Sequence, residues 1–114
     1  MGSMTNPSHP GEVLAELYLK PLGMSATDLA GHLDVPRARI QGLLSRQSSV
    51  TADTAMRLAR FFSTTPGLWI TMQRDWDLAQ IRKSIDVSSI VPLRTNRESG
   101  RSADRLEEGP QASA

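Results

Sequence analysis

The sequence predicts an all-α fold, a bundle of about five short helices, and three observations support this. Apolar residues recur at the i, i+3, i+4, i+7 spacing of one helical face in the segments that follow Ser25 and Thr51. Residues that cap helix N-termini precede these segments, and the pair Thr65-Pro66 marks another start. The only alternating apolar and polar run is a weak one over residues 87–93.

The predicted helices are 11–19, 25–33, 37–45, one that follows Thr51, and one that begins at Thr65-Pro66. We expect Pro21 and Gly23 to end the first helix, because proline disrupts a helix interior and glycine favours its C-terminus. Ser25 is the expected N-cap of the second helix, and Asp28 places a carboxylate in its first turn.

Composition excludes several classes of protein. The 114 residues include 13 basic and 12 acidic side chains, so the net charge of +1 offers no general attraction to nucleic acid. Cysteine is absent and only two histidines occur, so we expect no disulfide, metal site or cofactor. No apolar stretch is long enough to span a membrane, and no secretion signal is recognised, so we expect a cytoplasmic protein. We also expect no small-molecule ligand.

Apolar residues are concentrated in the middle of the chain, and this predicts its division. We assign residues 1–8 to a tag remnant and an N-terminal arm. Residues 9–85 form the predicted folded domain. Residues 86–114 form a predicted disordered tail, because from residue 92 onwards the chain has no aromatic, Ile, Val or Met side chain with which to build a core.

The second and third helices are predicted to form a helix-turn-helix. Ala30 is small enough for close helix crossing, and Ile40 is suited to fill the space between the two helices. Between them, Asp34 occupies a position that such turns usually give to glycine, because the backbone there is left-handed. We therefore interpret 25–33 as the positioning helix and 37–45 as the recognition helix, with Ile40, Leu43 and Leu44 buried.

Charge and spacing predict a DNA-contacting surface on these helices. Its predicted members are Ser25, Ala26, Thr27, Arg37, Ala38, Arg39, Gln41, Gly42, Arg46 and Ser48. Arg37 and Gln41 lie four residues apart and suit guanine and adenine edges, while amides near Ser25 suit a phosphate. The alternative is that Arg37, Arg39 and Arg46 only form a solvent-exposed charged face of the helix. Arg57 and Arg60 are interpreted as solubilising residues or intramolecular partners.

Residues 9–81 resemble the HigA-type antitoxins, whose helix-turn-helix is of the phage-repressor-like type. The matching motifs are His9-Pro10-Gly11-Glu12-Val13-Leu14, Pro21-Leu22-Gly23-Met24-Ser25, Leu29-Ala30, Thr51-Ala52-Asp53-Thr54-Ala55, Arg57-Leu58-Ala59-Arg60-Phe61, and Trp69 with Gln73 and Asp77-Leu78-Ala79. The chain departs from the pattern at Gly67, where an acidic residue is frequent, and at Trp76, where tyrosine is frequent.

This resemblance implies a homodimer that binds double-stranded operator DNA, represses its own operon and neutralises a HigB/RelE-like ribonuclease toxin. It implies no enzymatic activity. For the dimer surface we predict the stripe Trp69, Met72, Trp76 and Ala79, the alternative being that both tryptophans pack internally. The toxin surface is left open between residues 10–20 and the C-terminal tail.

Other functions remain as alternatives. The first is a stand-alone transcriptional regulator without a toxin. A neighbouring gene that encodes a small basic protein would argue against this alternative. An enzyme is disfavoured because no nucleophile, histidine and acid can be assembled, and Glu12 and Glu16 suit a solvated stripe. An interaction module that has lost DNA binding would fail a gel shift with its own promoter.

Overall fold

The computed structural model describes residues 6–94 of the 114-residue chain. Within them lie five helices and no strand, so the predicted all-α fold is confirmed. Helix α1 is continuous through Pro10–Val13, Leu14–Leu19 and Lys20–Leu22, and it is followed by α2 (Ala26–Leu33), α3 (Arg37–Leu44), α4 (Ala52–Phe62) and α5 (Pro66–Arg82).

Side-chain caps begin three of the helices where the sequence predicts. The hydroxyl oxygens of Ser25, Thr51 and Thr65 each accept a hydrogen bond from the backbone amide three residues further on. At α2 the carboxylate of Asp28 also accepts from the Ser25 amide, at 3.1 Å, which completes a capping box. Local sequence therefore defines the starts of α2, α4 and α5.

Helix α1 ends later than predicted, because Pro21 lies inside its last turn and the left-handed Gly23 (φ 62°) terminates it. The preceding segment, Leu14–Leu19, is a π-helix, and the amide of Lys20 donates to the carbonyl of Ala15, five residues earlier. A proline in a regular α-helix clashes with the carbonyl four residues before it. The wider turn directly before Pro21 alters this spacing, so the prediction that Pro21 ends the helix is wrong.

The core is formed by one apolar cluster that draws on all five helices. Its buried members are Leu14, Leu19, Leu29, Ala30, Leu33, Ile40, Leu43, Val50, Ala55, Leu58, Ala59 and Trp69. Leu44, predicted to be buried, is only partly so and packs at the edge of this cluster. Burial of this cluster supplies the main driving force for folding, since it removes large apolar side chains from water.

Trp69 lies at the centre of the core and is 0% exposed. Its indole N–H donates to the hydroxyl oxygen of Thr64 at 2.9 Å, and its ring centroid is 5.6 Å from that of Tyr18. No surface of this side chain is left for a second protein. The prediction that Trp69 forms part of a dimer surface is therefore wrong, and internal packing, the stated alternative, is correct for this residue.

After α5 ends at Arg82, residues 85–94 are exposed and form neither helix nor strand. The weak alternating run at 87–93 therefore builds no strand. Of the tail predicted over 86–114, residues 95–114 lie outside the described residues, as do residues 1–5. In the range 6–94, none of the helices combines the length and the apolar character needed to cross a bilayer.

Candidate nucleic-acid interface

The turn between α2 and α3 has the geometry that the sequence predicts. Asp34 is left-handed, with φ 59° and ψ 49°, and its amide donates to the carbonyl of Gly31 at 3.3 Å. The next amide, of Val35, donates to the carbonyl of Ala30 at 3.1 Å. These bonds close the C-terminus of α2 and redirect the chain, so that α3 starts after Pro36 and crosses the positioning helix.

Two features on its inner side hold α3 in place. Ile40 and Leu43 are 0% and 1% exposed, so the helix cannot rotate without exposing them. The backbone of Gly11, at the start of α1, also lies directly against the carbonyl of Leu43. A Cβ atom at Gly11 would lie 1.9 Å from that oxygen, far inside van der Waals contact. The glycine of the His9-Pro10-Gly11-Glu12 motif thus allows α1 to abut the recognition helix.

The outer side of α3 presents Arg37, Ala38 and Gln41, all exposed. Arg37 and Gln41 lie one turn apart on the same face, as their spacing predicts. Neither has an ion-pair partner or a side-chain hydrogen bond among residues 6–94. This surface, the α3 outer face, therefore combines a guanidinium, a small residue and an amide that are free to contact base edges.

Gly42, a member of the predicted DNA-contacting surface, is half-buried and has a structural reason to be glycine. A Cβ atom there would lie 2.8 Å from the hydroxyl oxygen of Ser48. The amides of Gln47 and Ser48 both donate to the Gly42 carbonyl, at 2.9 and 3.1 Å. Gly42 and Ser48 thus form the tight return of the chain after α3, and a shallow open depression lies beside it, lined by Ala38, Gln41 and Gln47.

Arg46 lies in this return with a left-handed backbone (φ 64°) and an exposed side chain. It borders a shallow depression with Glu12 and Glu16 of α1, at the C-terminal end of α3. Burial of the His9 imidazole is the main cause that lowers its pKa from the ordinary value, and the positive charge of Arg46 lowers this pKa further. Arg46 therefore lies beyond the C-terminal end of α3, on the side where α1 packs.

Arg39 lies away from the α3 outer face and is engaged within the protein. Its Nη1 forms an ion pair with the carboxylate of Asp53 on α4. The same carboxylate accepts from Nε of Arg57, at 3.1 and 3.2 Å to its two oxygens. The hydrogen bond from Arg39 is the main cause that lowers the pKa of Asp53, and that from Arg57 adds to it. The sequence indicated an intramolecular role for Arg57 but not for Arg39.

The N-terminus of α2 is only in part available to a phosphate. Ser25 and Thr27 are exposed and Ala26 is half-buried, but the Ser25 amide already donates to the carboxylate of Asp28. This hydrogen bond lowers the pKa of Asp28 and favours its ionised form. The amides of Ala26 and Thr27 lack acceptors within the helix, while the Asp28 carboxylate beside them repels an anion. Sequence reasoning about this site did not include that repulsion.

Gln73 is a further positioning residue whose role the sequence did not reveal, although it occurs in the motif quoted for the family resemblance. It is 5% exposed, and its Oε1 accepts from the amide of Val50 at 2.8 Å. Its Nε2 donates to the carboxylate of Asp77 at 2.8 Å. Gln73 thereby fixes the loop after α3 to α5, and its spacing of four residues from Trp69 and Asp77 keeps all three on neighbouring turns.

The remaining members of the predicted dimer stripe are half-buried. Trp76 rests on His9, with ring centroids 4.7 Å apart and an interplanar angle of 83°, while Met72 packs against the core and Ala79 is half-buried. The apolar residues that α5 exposes most are others: Leu68, Ile70, Leu78 and Ile81, at 39–46% exposure. These residues are exposed because of the way α5 is oriented on the core. The sequence did not predict this orientation, since apolar and polar residues are only weakly segregated along the helix.

Within residues 6–94, no three side chains of His, Asp or Glu are grouped closely enough to bind a metal ion.

A helix-turn-helix family model matches residues 16–69, which contain α2, α3 and α4 in full. Virulence-associated protein I of Dichelobacter nodosus is 45% identical over 91 residues, which cover 77% of this chain and 82% of that protein.

Two solved structures show the same likeness in three dimensions. An addiction module antidote protein of a HigA family from Coxiella burnetii is 42% identical, with a TM-score of 0.62 over 71% of this chain and 97% of that one. Antitoxin GraA in complex with its operator is 33% identical, with a TM-score of 0.73 over 79% of this chain and 94% of that one.

Proposed function

Since the chain belongs to the helix-turn-helix family of HigA-type antitoxins, we propose that it is the antitoxin of a toxin–antitoxin pair. In this proposal it binds its operator as a homodimer, represses its own operon, and neutralises a HigB/RelE-like ribonuclease toxin. The observation that carries DNA binding is the α3 outer face, a helix anchored by buried Ile40 and Leu43 with Arg37 and Gln41 exposed.

The chemistry of this face supports reading of bases in the major groove. An arginine donates two hydrogen bonds to the O6 and N7 atoms of guanine, and a glutamine amide pairs with N6 and N7 of adenine. Ala38 between them adds no bulk, so the helix approaches the base edges closely. The likeness to GraA, whose structure contains its operator, supports DNA binding by this chain.

Two cations have different proposed tasks. Arg37 lies at the start of α3 and reads bases, while Arg46 lies beyond its end and contacts a phosphate. Neither has an acidic partner within 4.0 Å among the described residues. Arg39 is removed from the set of direct contacts, because Asp53 already neutralises it.

Dimerisation is proposed because one recognition helix reads few base pairs. Two-fold symmetry places a second helix about 34 Å away, one turn of DNA further on, and doubles the readout. We place the contact on α5, where Trp76 and Ala79 contribute exposed edges. Leu78 and Ile81, at 40% and 46% exposure, lie on a different side of α5 and form a second candidate surface.

For toxin neutralisation we propose one of two surfaces, both of which lie away from the α3 outer face. One is the exposed side of α1, which includes Glu16 and Leu17. The other is the segment after α5, where Val87, Ile90 and Val91 are 55–81% exposed. An apolar segment of this kind suits folding upon a partner.

A gel shift with DNA from upstream of the protein's own gene tests the proposed function. The full chain is expected to shift this duplex and not a scrambled duplex of equal length and composition. Adding the product of the adjacent gene tests the second half, since an antitoxin forms a stable complex with it and restores translation in a cell-free assay. DNA binding without a toxin partner would indicate the alternative, a stand-alone regulator.

A further inference from the structure

The carboxylate of Asp53 connects the recognition helix to α4. It pairs with Arg39 of α3 and, through both oxygens, with Nε of Arg57 in its own helix. Its pKa is lowered by these hydrogen bonds, so the carboxylate is ionised at neutral pH. One side chain near the start of α4 therefore has charged contacts with the helix proposed to read DNA.

Arg57 extends the same connection to the turn. Its Nη1 donates to the carbonyl of Leu33 at 2.7 Å and lies 3.4 Å from that of Asp34. These are C-terminal carbonyls of α2, which no intrahelical amide satisfies and which a cation stabilises. Arg57 thus contacts the C-terminus of α2 and also the carboxylate of Asp53, which in turn pairs with Arg39 of α3.

Together these contacts join α2, α3 and α4 at the side of the turn, away from the buried Ile40. The buried residues of α3 fix which side of the helix faces the core. The ion pair of Arg39 with Asp53 adds a directional contact outside the core. Arg39 lies two residues from Arg37 and two from Gln41, so a shift of Arg39 displaces both.

We propose that Asp53 and Arg57 are positioning residues for operator recognition, which set the placement of α3 through Arg39 and the α2 carbonyls without touching DNA themselves. This inference rests on the proposed DNA-binding function. It also assigns Arg39 an intramolecular role in place of the base or phosphate contact that its charge predicts.

The variant Asp53→Asn separates positioning from simple electrostatics, because the two explanations predict changes in operator affinity of opposite sign. Removing an acidic residue near DNA raises affinity when only long-range charge matters. Loss of positioning instead lowers operator affinity, by about three- to tenfold for two partly exposed ion pairs. The matched control is Asp34→Asn, which removes the same charge in the turn and keeps a residue that accepts the left-handed backbone; it is expected to leave affinity unchanged or slightly higher.

The pair Arg57→Met and Arg60→Met tests the same inference on α4. Both remove one positive charge, from positions one turn apart, but Arg60 has no ion pair within residues 6–94. Arg57→Met is expected to reduce the ratio of operator to scrambled-duplex affinity about three- to tenfold, and Arg60→Met to leave this ratio unchanged.

The readout is fluorescence anisotropy on the full chain across a series of salt concentrations, with circular dichroism to verify folding of each variant. A positioning residue changes the specificity ratio and leaves the salt slope unaltered, whereas loss of a phosphate contact makes the slope about 0.9 shallower. Unchanged specificity in both Asp53→Asn and Arg57→Met, or a shallower slope in Arg57→Met, overturns the inference. If the wild-type chain itself fails to prefer its operator, the proposed function fails instead.

Discussion

Replacing Gly11 by alanine tests how closely α1 abuts the recognition helix. The added Cβ would lie 1.9 Å from the carbonyl oxygen of Leu43 and 2.8 Å from its carbonyl carbon. Relief of this overlap requires a backbone shift of about 1 Å or more, since both contacting groups are main chain and neither can rotate away. Overpacking of a rigid site costs about 1–3 kcal/mol, occasionally more, and the main-chain clash places this case at about 3 kcal/mol.

The assay is thermal unfolding followed by circular dichroism. A loss of about 3 kcal/mol lowers the Tm of a domain this size by about 12–24 °C. Gly31→Ala is the control, because a Cβ at Gly31 in α2 meets nothing within 4 Å. This exposed helical alanine is expected to raise stability by about 0.5–1 kcal/mol. A Gly11→Ala protein that melts with the wild type would refute the packing of α1 against α3.

Four further predictions follow from other contacts. Nδ1 of the buried His9 accepts a hydrogen bond from the Gly11 amide, and the pKa of His9 is lowered. The unfolded chain therefore binds the proton more readily, and the stability of the fold decreases as the pH falls below about 6.5. His9→Asn is expected to reduce the difference in Tm between pH 7.5 and pH 5.5, and a variant that loses as much Tm as the wild type over this range contradicts the assignment. Gln73→Leu leaves the Val50 amide buried without an acceptor and is expected to cost about 1–3 kcal/mol in denaturant unfolding. Arg46→Ala is expected to weaken operator and scrambled duplexes equally in anisotropy titrations, and a selective loss on the operator would place it among the base contacts. Leu78→Asp is expected to shift sedimentation from dimer to monomer, and an unchanged dimer excludes this part of α5.

Helix starts and the turn could be predicted because their causes are local. Ser25 and Thr51 cap helices through residues three positions away, and Asp34 adopts the left-handed conformation that its place in the turn requires. The inward side of α3 was predictable as well, because Ile40 and Leu43 repeat at helical spacing and are buried.

The features that sequence did not reveal depend on contacts between distant residues. From the sequence, Arg39 was predicted to contact DNA. In the fold it pairs with Asp53 of α4, which lies fourteen positions further along the chain. Trp69 resembled a surface residue because its helix has apolar residues on several sides, and only tertiary packing buries it. Pro21 failed to end α1 because a π-helical turn precedes it, and no local sequence rule predicts that turn.

The central claim is that the α3 outer face reads bases, and Arg37→Ala tests it most directly. Anisotropy titrations of this variant against the operator and a scrambled duplex, at one salt concentration, compare specific with non-specific binding. Loss of a bidentate contact to guanine is expected to cost about 1–3 kcal/mol on the operator and little on the scrambled duplex, so that discrimination decreases. If discrimination between the two duplexes is retained in full, Arg37 does not face the bases and the proposed orientation of the recognition helix is wrong.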